Sequence, residues 1–335
     1  MLINELRDQI KKYSEEELRY IISEMYKAIP KKIKEEKNFD LIISDLHSYK
    51  QNGISIKTEQ VTNFVELKNN INEFYSLAMS GNYFAPNRIV SKNARSKWRF
   101  KVKAFIKNLE AFKFTSNEGK EVARLYEMLF SVLSTACGIY LFPSEDPFRA
   151  IGISQSDFLD MVFIRKYAYG INEENIKSGI EIVVNSEVDR DTLPSYFIHI
   201  FIKHIKTNEA KMIAIEKCKE IQSKLIEQSK NKKVKSLTYN QKEKNNRLTE
   251  LIFHLYSELK EYENGVRYFK KNYIESSKEV LLYILLNLVF MYELKEIWIK
   301  EYELAIKNGT KPRESLQKVY NHIINKGTLP DLFYI

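Results

Sequence analysis

Helix caps followed by long apolar-periodic runs recur along the whole chain, and they constrain its fold more than any other feature. Ser14 with Glu17, Thr115 with Glu118, Ser154 with Asp157 and Ser276 with Glu279 all match the capping-box spacing. In that motif a side-chain oxygen satisfies an orphan amide of the first turn. Asp146 before Pro147 reads as an N-cap followed by the first helical residue. Gly81, Gly170, Gly309 and Gly327 each follow a periodic run and read as C-terminal stops. The pattern predicts helices near 2–12, 15–29, 40–50, 59–80, 93–113, 117–141, 155–169, 173–187, 194–206, 209–236, 242–262, 278–307 and 313–325. Strand signals are weak: Ile54-Ser55-Ile56 alternates but is short, and Ile180 to Val184 fits a helix equally well.

Composition narrows the class further. Ten Gly in 335 residues is sparse for all-β sandwiches or α/β nucleotide folds, which spend glycine on turns and phosphate loops. At 44% hydrophobic and 29% charged, the chain can bury a core, so general disorder is excluded. The expected fold is all-α: an irregular array of antiparallel helices, bundle- or solenoid-like, with little or no β-sheet. No fixed-period repeat is present. Polar breaks fall around Asn52-Gly53, from Gly81 to Arg88 and from Lys230 to Arg247. They suggest an N-terminal helical module (1–52), a central helical domain (53–230) and a C-terminal helical domain (231–335) behind a basic linker.

Cys137 and Cys218 stand alone, with no CxxC, and read as buried small hydrophobes in a reducing cytoplasmic setting. The opening MLINELRDQI carries charge and has no apolar centre, so it does not read as a secretory signal. The most apolar run, Val280 to Tyr292, is too short to span a bilayer, which takes about 20 residues. It reads as a fully buried central helix, and no membrane partner is expected.

Positive charge is concentrated in two segments. Residues 88–114 hold nine Lys/Arg against one acid, Glu110, and residues 230–247 hold seven against one, Glu243. The chain as a whole is +9, so the remainder is mildly acidic. In the first segment Trp98, Val102, Phe105, Leu109 and Phe112 share one helical stripe, while Arg99, Lys103 and Lys107 follow one another at i, i+4 on another face. Like charges at that spacing repel by a few tenths of a kcal/mol, unless an acidic helix or an anionic ligand offsets them. Phe100 lies on the basic side, the arrangement that base stacking with phosphate neutralisation uses. Arg95, Lys97, Arg99, Phe100, Lys103, Lys107, Lys232, Lys233 and Lys235 are therefore the candidate anion- or nucleic-acid-binding residues.

Catalytic and metal patterns are mostly absent. No Walker or dinucleotide glycine spacing occurs, no HExxH and no serine nucleophile elbow. His199 and His204, five apart, lie on different helix faces and read as satisfied core histidines. Asp189-Arg190-Asp191 reads as helix-entry capping. No metal ligands and no cofactor are expected. One spacing stands out: Arg247 precedes His254 by two helical turns, so both share a face. This is similar to the Arg-x(4–6)-His pattern of HEPN-type ribonucleases, which are all-α. The resemblance covers only these two residues, and Leu248 stands where the family usually has a small polar residue. It implies His254 as general acid or base on a 2′-OH and Arg247 on the phosphate, at a site shared across a dimer.

The chain thus reads first as a non-enzymatic helical scaffold or regulator that binds a protein partner, with a basic helix able to engage an anionic surface. The alternatives are a nucleic-acid-binding protein using residues 88–114 and 230–247, and a HEPN-like ribonuclease using Arg247 and His254.

Overall fold

The computed structural model describes residues 3–36, 39–45, 63–230 and 237–332. Of these, 73% are helical and none lies in a strand, so the protein is an all-α helical array. It divides into two compact units, Met1–Asn63 and Phe64–Ile335.

The N-terminal unit contains α1 (Ile3–Ile10), α2 (Glu15–Ala28), α3 (Lys31–Glu36) and α4 (Phe39–Ser44). The Ser14 box forms as expected: Glu17 N–H donates to Ser14 Oγ, and Ser14 N–H donates to Glu17 Oε2 at 2.7 Å. The Tyr26 hydroxyl donates to Asp40, tying α2 to α4. No residue of α2 is buried. The Asn52-Gly53 loop and the Ile54–Ile56 alternation lie outside the described residues.

The larger unit starts with α5 (Phe64–Met79), α6 (Lys92–Ser96), α7 (Trp98–Glu110), α8 (Gly119–Gly138) and α9 (Pro147–Ile151). It continues through α10 (Gln155–Tyr167), α11 (Glu173–Asn185), α12 (Pro194–His204) and α13 (Asn208–Lys230). It ends with α14 (Tyr239–Glu258), α15 (Tyr262–Asn272), α16 (Lys278–Met291), α17 (Lys295–Lys307) and α18 (Glu314–Lys326). Helix α8 packs on α5, α7 and α10, α10 packs on α12, and α11 and α13 pack together beside α14. One core runs from Leu67 to Leu255, across the break expected at 231, and a second gathers α15 to α18. Helix α14 serves both: Leu248, Leu251, Ile252 and Leu255 enter the first and Phe253 the second.

Several expected boundaries move, each for a local reason. The Thr115–Glu118 box does not form; α8 starts at Gly119, with no side-chain cap. The Tyr169 hydroxyl bonds the Phe114 carbonyl, and a Cβ on Gly119 would collide with that phenol. The cap of α16 is Ser277 rather than Ser276, because Glu275 accepts from both Ser276 Oγ and Ser277 N–H. The predicted helix 278–307 is two helices, broken where Glu293 adopts φ 55° and Leu294 N–H bonds back to Val289 O. In the same way Lys260, at φ 62°, ends α14, and Glu261 N–H returns to Tyr256 O. Both ends carry the reverse bond of a Schellman motif, without the usual glycine. The predicted helix 93–113 is likewise split at Lys97. Neither α15 nor the short α3 was anticipated as a helix, and of α9 only the entry at Asp146-Pro147 was.

Helix α16 corrects another expectation. Leu282, Leu285, Leu286, Leu288 and Val289 are buried, but Leu281 and Ile284 are only partly covered and Met291 is exposed. It packs chiefly on α17, so one face stays open rather than becoming a fully buried centre.

The α7 end of the array is pinned by aromatic rings. Trp98, the first residue of α7, stacks on Phe142 at 4.0 Å, and Phe142 also meets Phe74 at 5.9 Å and Tyr83 at 6.0 Å. Phe142 is fully buried. Phe142→Ala is expected to cost about 3–5 kcal/mol, measured as a fall in urea midpoint at constant slope.

Candidate nucleic-acid interface

Helix α7 forms because its apolar residues fall on one side. Trp98, Val102, Phe105, Ile106 and Leu109 are buried against α8 and α9. That geometry turns Arg99, Lys103 and Lys107 outward, where all three are exposed. Lys92 and Lys97, at the start of the segment, are exposed too. Arg95 is half-buried and donates to the Val90 carbonyl at 2.6 Å. The Lys101 ammonium lies within 6 Å of the Phe74 and Phe105 rings. Phe100 is 55% exposed, with the Arg99 guanidinium 4.9 Å from its ring centre.

Among the described residues, none of the nine cations of 88–114 pairs with a carboxylate. Elsewhere the same chain pairs its cations repeatedly. Lys166 meets Glu127, Lys203 meets Asp160, Lys211 meets Glu258, and Lys217 meets Glu173. Lys270 meets Glu301, Lys300 meets Glu263, and Arg313 meets Glu279. The repulsion along Arg99, Lys103 and Lys107 is therefore left without an internal counter-charge.

Two further exposed aromatics stand at the same end of the array. Phe84 and Tyr140 are 48% and 60% exposed and stack at 5.5 Å with an interplanar angle of 21°. They were missed from sequence because nothing in the local pattern separates an exposed aromatic in a loop from a core one.

Lys232, Lys233 and Lys235 lie outside the described residues. Arg247 is occupied structurally. It donates to Ser186 O at 2.8 Å and Val184 O at 3.4 Å, covering carbonyls at the C-terminus of α11. Arg247→Met is expected to cost about 1–2 kcal/mol of unfolding free energy, checked by chemical denaturation.

His254 lies two turns along α14 and is wholly buried. Its Nδ1 shares a hydrogen bond with the Tyr292 hydroxyl at 2.8 Å, its ring centre is 4.9 Å from that of His199, and its Nε2 has no partner. Desolvation first, and His199 second, pushes its pKa down to about 3. Arg247 and His254 thus serve different neighbours, and the imidazole has no open path to a phosphate. The arrangement lacks the exposed pair that the ribonuclease resemblance requires.

The other titratable groups are also accounted for by packing. His204 Nε2 lies 2.7 Å from Asp160, but His204 is only half-buried and His199 is exposed, so neither is the core histidine expected. Asp189 accepts from Asp191 N–H in a local turn. Cys218 is buried and Cys137 half-buried, and burial pushes both thiols up, Cys137 to about 12. Among the described residues no cluster of three His, Cys, Asp or Glu could hold a metal ion, and no helix is long and apolar enough to cross a membrane.

Compared with protein-family models, curated proteins and solved structures, the chain matches none.

Proposed function

We propose that the protein is a non-enzymatic helical scaffold of the cytoplasm that acts by binding, and that the α7 face engages the phosphate backbone of a nucleic acid. One observation carries this reading: nine cations lie close together in residues 88–114 and none has a carboxylate partner among the described residues, whereas many cations elsewhere in the chain do. Phosphates would relieve the self-repulsion and release counterions, the sequence-independent term that dominates protein–nucleic acid affinity. The two unpaired thiols fit a reducing compartment.

The test is retention of the purified protein on heparin, together with anisotropy titration of a labelled oligonucleotide at about 50 and 200 mM salt, the range over which phosphate contacts are lost. Binding that falls steeply with salt is expected. Absence of salt-dependent binding to either would leave the α7 face as a solvated surface and overturn the reading.

A second reading, a protein partner, is favoured by the N-terminal unit. Ile22 and Met25, three apart on one side of α2, are exposed, an apolar surface that a packed neighbour would cover. Capture from the native host with and without nuclease separates the two. A partner that survives nuclease supports the protein reading, and loss of every partner supports the nucleic-acid one.

A further inference from the structure

The basic face accounts for attraction to any polyanion, but it does not account for the aromatic residues beside it. Phe84 lies in the loop between α5 and α6, and Tyr140 lies in the loop after α8. Neither ring belongs to the buried core, since both are about half exposed, and they stack on each other. Yet the two loops are firmly built. Asn87 Nδ2 donates to Asn82 O and Ala85 O, and its Oδ1 accepts from Ile89 N–H and Val90 N–H. Val90 O in turn receives the Arg95 guanidinium. On the other side Phe142, two residues beyond Tyr140, is locked against Trp98 and Tyr83.

This anchoring fixes where the pair stands. Tyr83 precedes Phe84 and Trp98 precedes Arg99, so the Phe142 cluster ties the exposed stack to the start of the basic helix. Phe84 and Arg99 are thus each one residue, about 3.8 Å along the chain, from a ring that packs on Phe142. Phe100, on α7 itself, adds a third exposed ring under the Arg99 guanidinium.

Resting on the polyanion reading above, we infer that Phe84 and Tyr140 form a base-stacking platform that makes the α7 face selective for single-stranded nucleic acid. A duplex hides its base faces inside the stack and offers only phosphates to such a surface. An unpaired strand can lay its phosphates along Arg99, Lys103 and Lys107 and place a base on the outer face of the exposed pair. Pre-stacked, anchored rings lose little freedom on binding, and base–aromatic stacking tolerates any base sequence.

The experiment measures anisotropy of an end-labelled oligothymidylate of about 20 nucleotides, long enough to cover a single-strand site, and of a mixed-sequence duplex of equal length, at one salt concentration. Wild type should bind the single strand about tenfold more tightly than the duplex. The double variant Phe84→Leu with Tyr140→Leu, which keeps apolar bulk and removes the rings, should lose roughly tenfold for the single strand and nothing for the duplex. A Tyr140→Trp variant should retain affinity, and its introduced indole should be quenched by the single strand and not by the duplex. Equal single-strand and duplex affinity in wild type, or an unchanged single-strand affinity in the leucine variant, would overturn the platform while leaving the basic face intact. The latter is also the result expected if the rings serve a protein partner. Failure of both nucleic acids to bind would instead strike the polyanion reading itself. Circular dichroism of each variant checks that the helices persist.

Discussion

Reversing Arg99, Lys103 and Lys107 together to Glu is expected to weaken nucleic-acid binding by about 100-fold or more near 0.1 M salt, and to flatten its salt dependence. Each neutralised phosphate contributes about 0.7 to the slope of log affinity against log salt on a single strand, so losing three contacts should lower it by about 2. The reversed side chains add repulsion beyond that loss. Helicity should hold, because all three residues are exposed and the buried stripe of α7 is untouched. The control is the same reversal at cations that already have partners, Lys217 and Lys300, which meet Glu173 and Glu263. Those variants are expected to bind within about threefold of wild type. A triple variant with wild-type affinity and slope would show that the α7 face is not where phosphate binds.

The second large effect lies in the response to acid, where His254 and Glu250 pull in opposite directions. His254 is pushed from 6.5 down to about 3 in the folded state, by burial first. Between those values the unfolded chain takes up a proton that the folded protein refuses, so stability falls as pH falls. The slope approaches about 1.4 kcal/mol per pH unit. Glu250 is raised from 4.5 to about 7, by burial first, while the Tyr273 hydroxyl and Arg247 pull it back. Its stabilisation is present at low pH and is lost as pH rises from 4.5 through 7. Part of its surface still reaches solvent, so its share is the smaller. The two therefore offset each other between about 4.5 and 6.5, and below that only His254 of the pair continues to act. Glu121, Asp160 and Glu279, all held below the ordinary carboxylate range, lose stabilisation in acid as well.

Comparing wild type with His254→Gln isolates the imidazole, because the carboxylates titrate in both proteins. The stability difference between them should shrink, and then reverse in favour of the variant, as pH drops from about 7 to 4. A difference that stays constant, or a His254 resonance that titrates near 6.5 in the folded protein, would contradict a buried neutral ring. RNA incubated with either protein should keep its length.

The sequence was a good guide wherever the deciding interaction is local. The Ser14 box, the Ser154 and Asp146 caps, and the positive φ at Gly81, Gly170, Gly309 and Gly327 all appear as their spacing implies. The apolar stripe and basic face of α7 follow from an angular pattern along one helix. Helix ends at Lys260 and Glu293 were illegible, because neither residue carries the glycine signal that usually marks a left-handed terminus. Their conformation is set by reverse hydrogen bonds and by the packing of α14 on α15 and α16 on α17.

The candidate sites divide along the same line. Sequence alone determined an all-α chain with its positive charge gathered in two segments, one of them carrying an amphipathic helix, since charge density and periodicity are properties of neighbours in the chain. It placed Arg247 and His254 on one helical face, and that much was sound. Only the tertiary structure decided that this face is interior, with the Arg on the α11 carbonyls and the His beneath Tyr292. Only the tertiary structure, likewise, brought Phe84 and Tyr140 together from loops on either side of the basic helix. Burial and long-range ring contacts depend on which helices meet, and that is settled by side-chain shape across residues far apart in sequence, where no local pattern reaches.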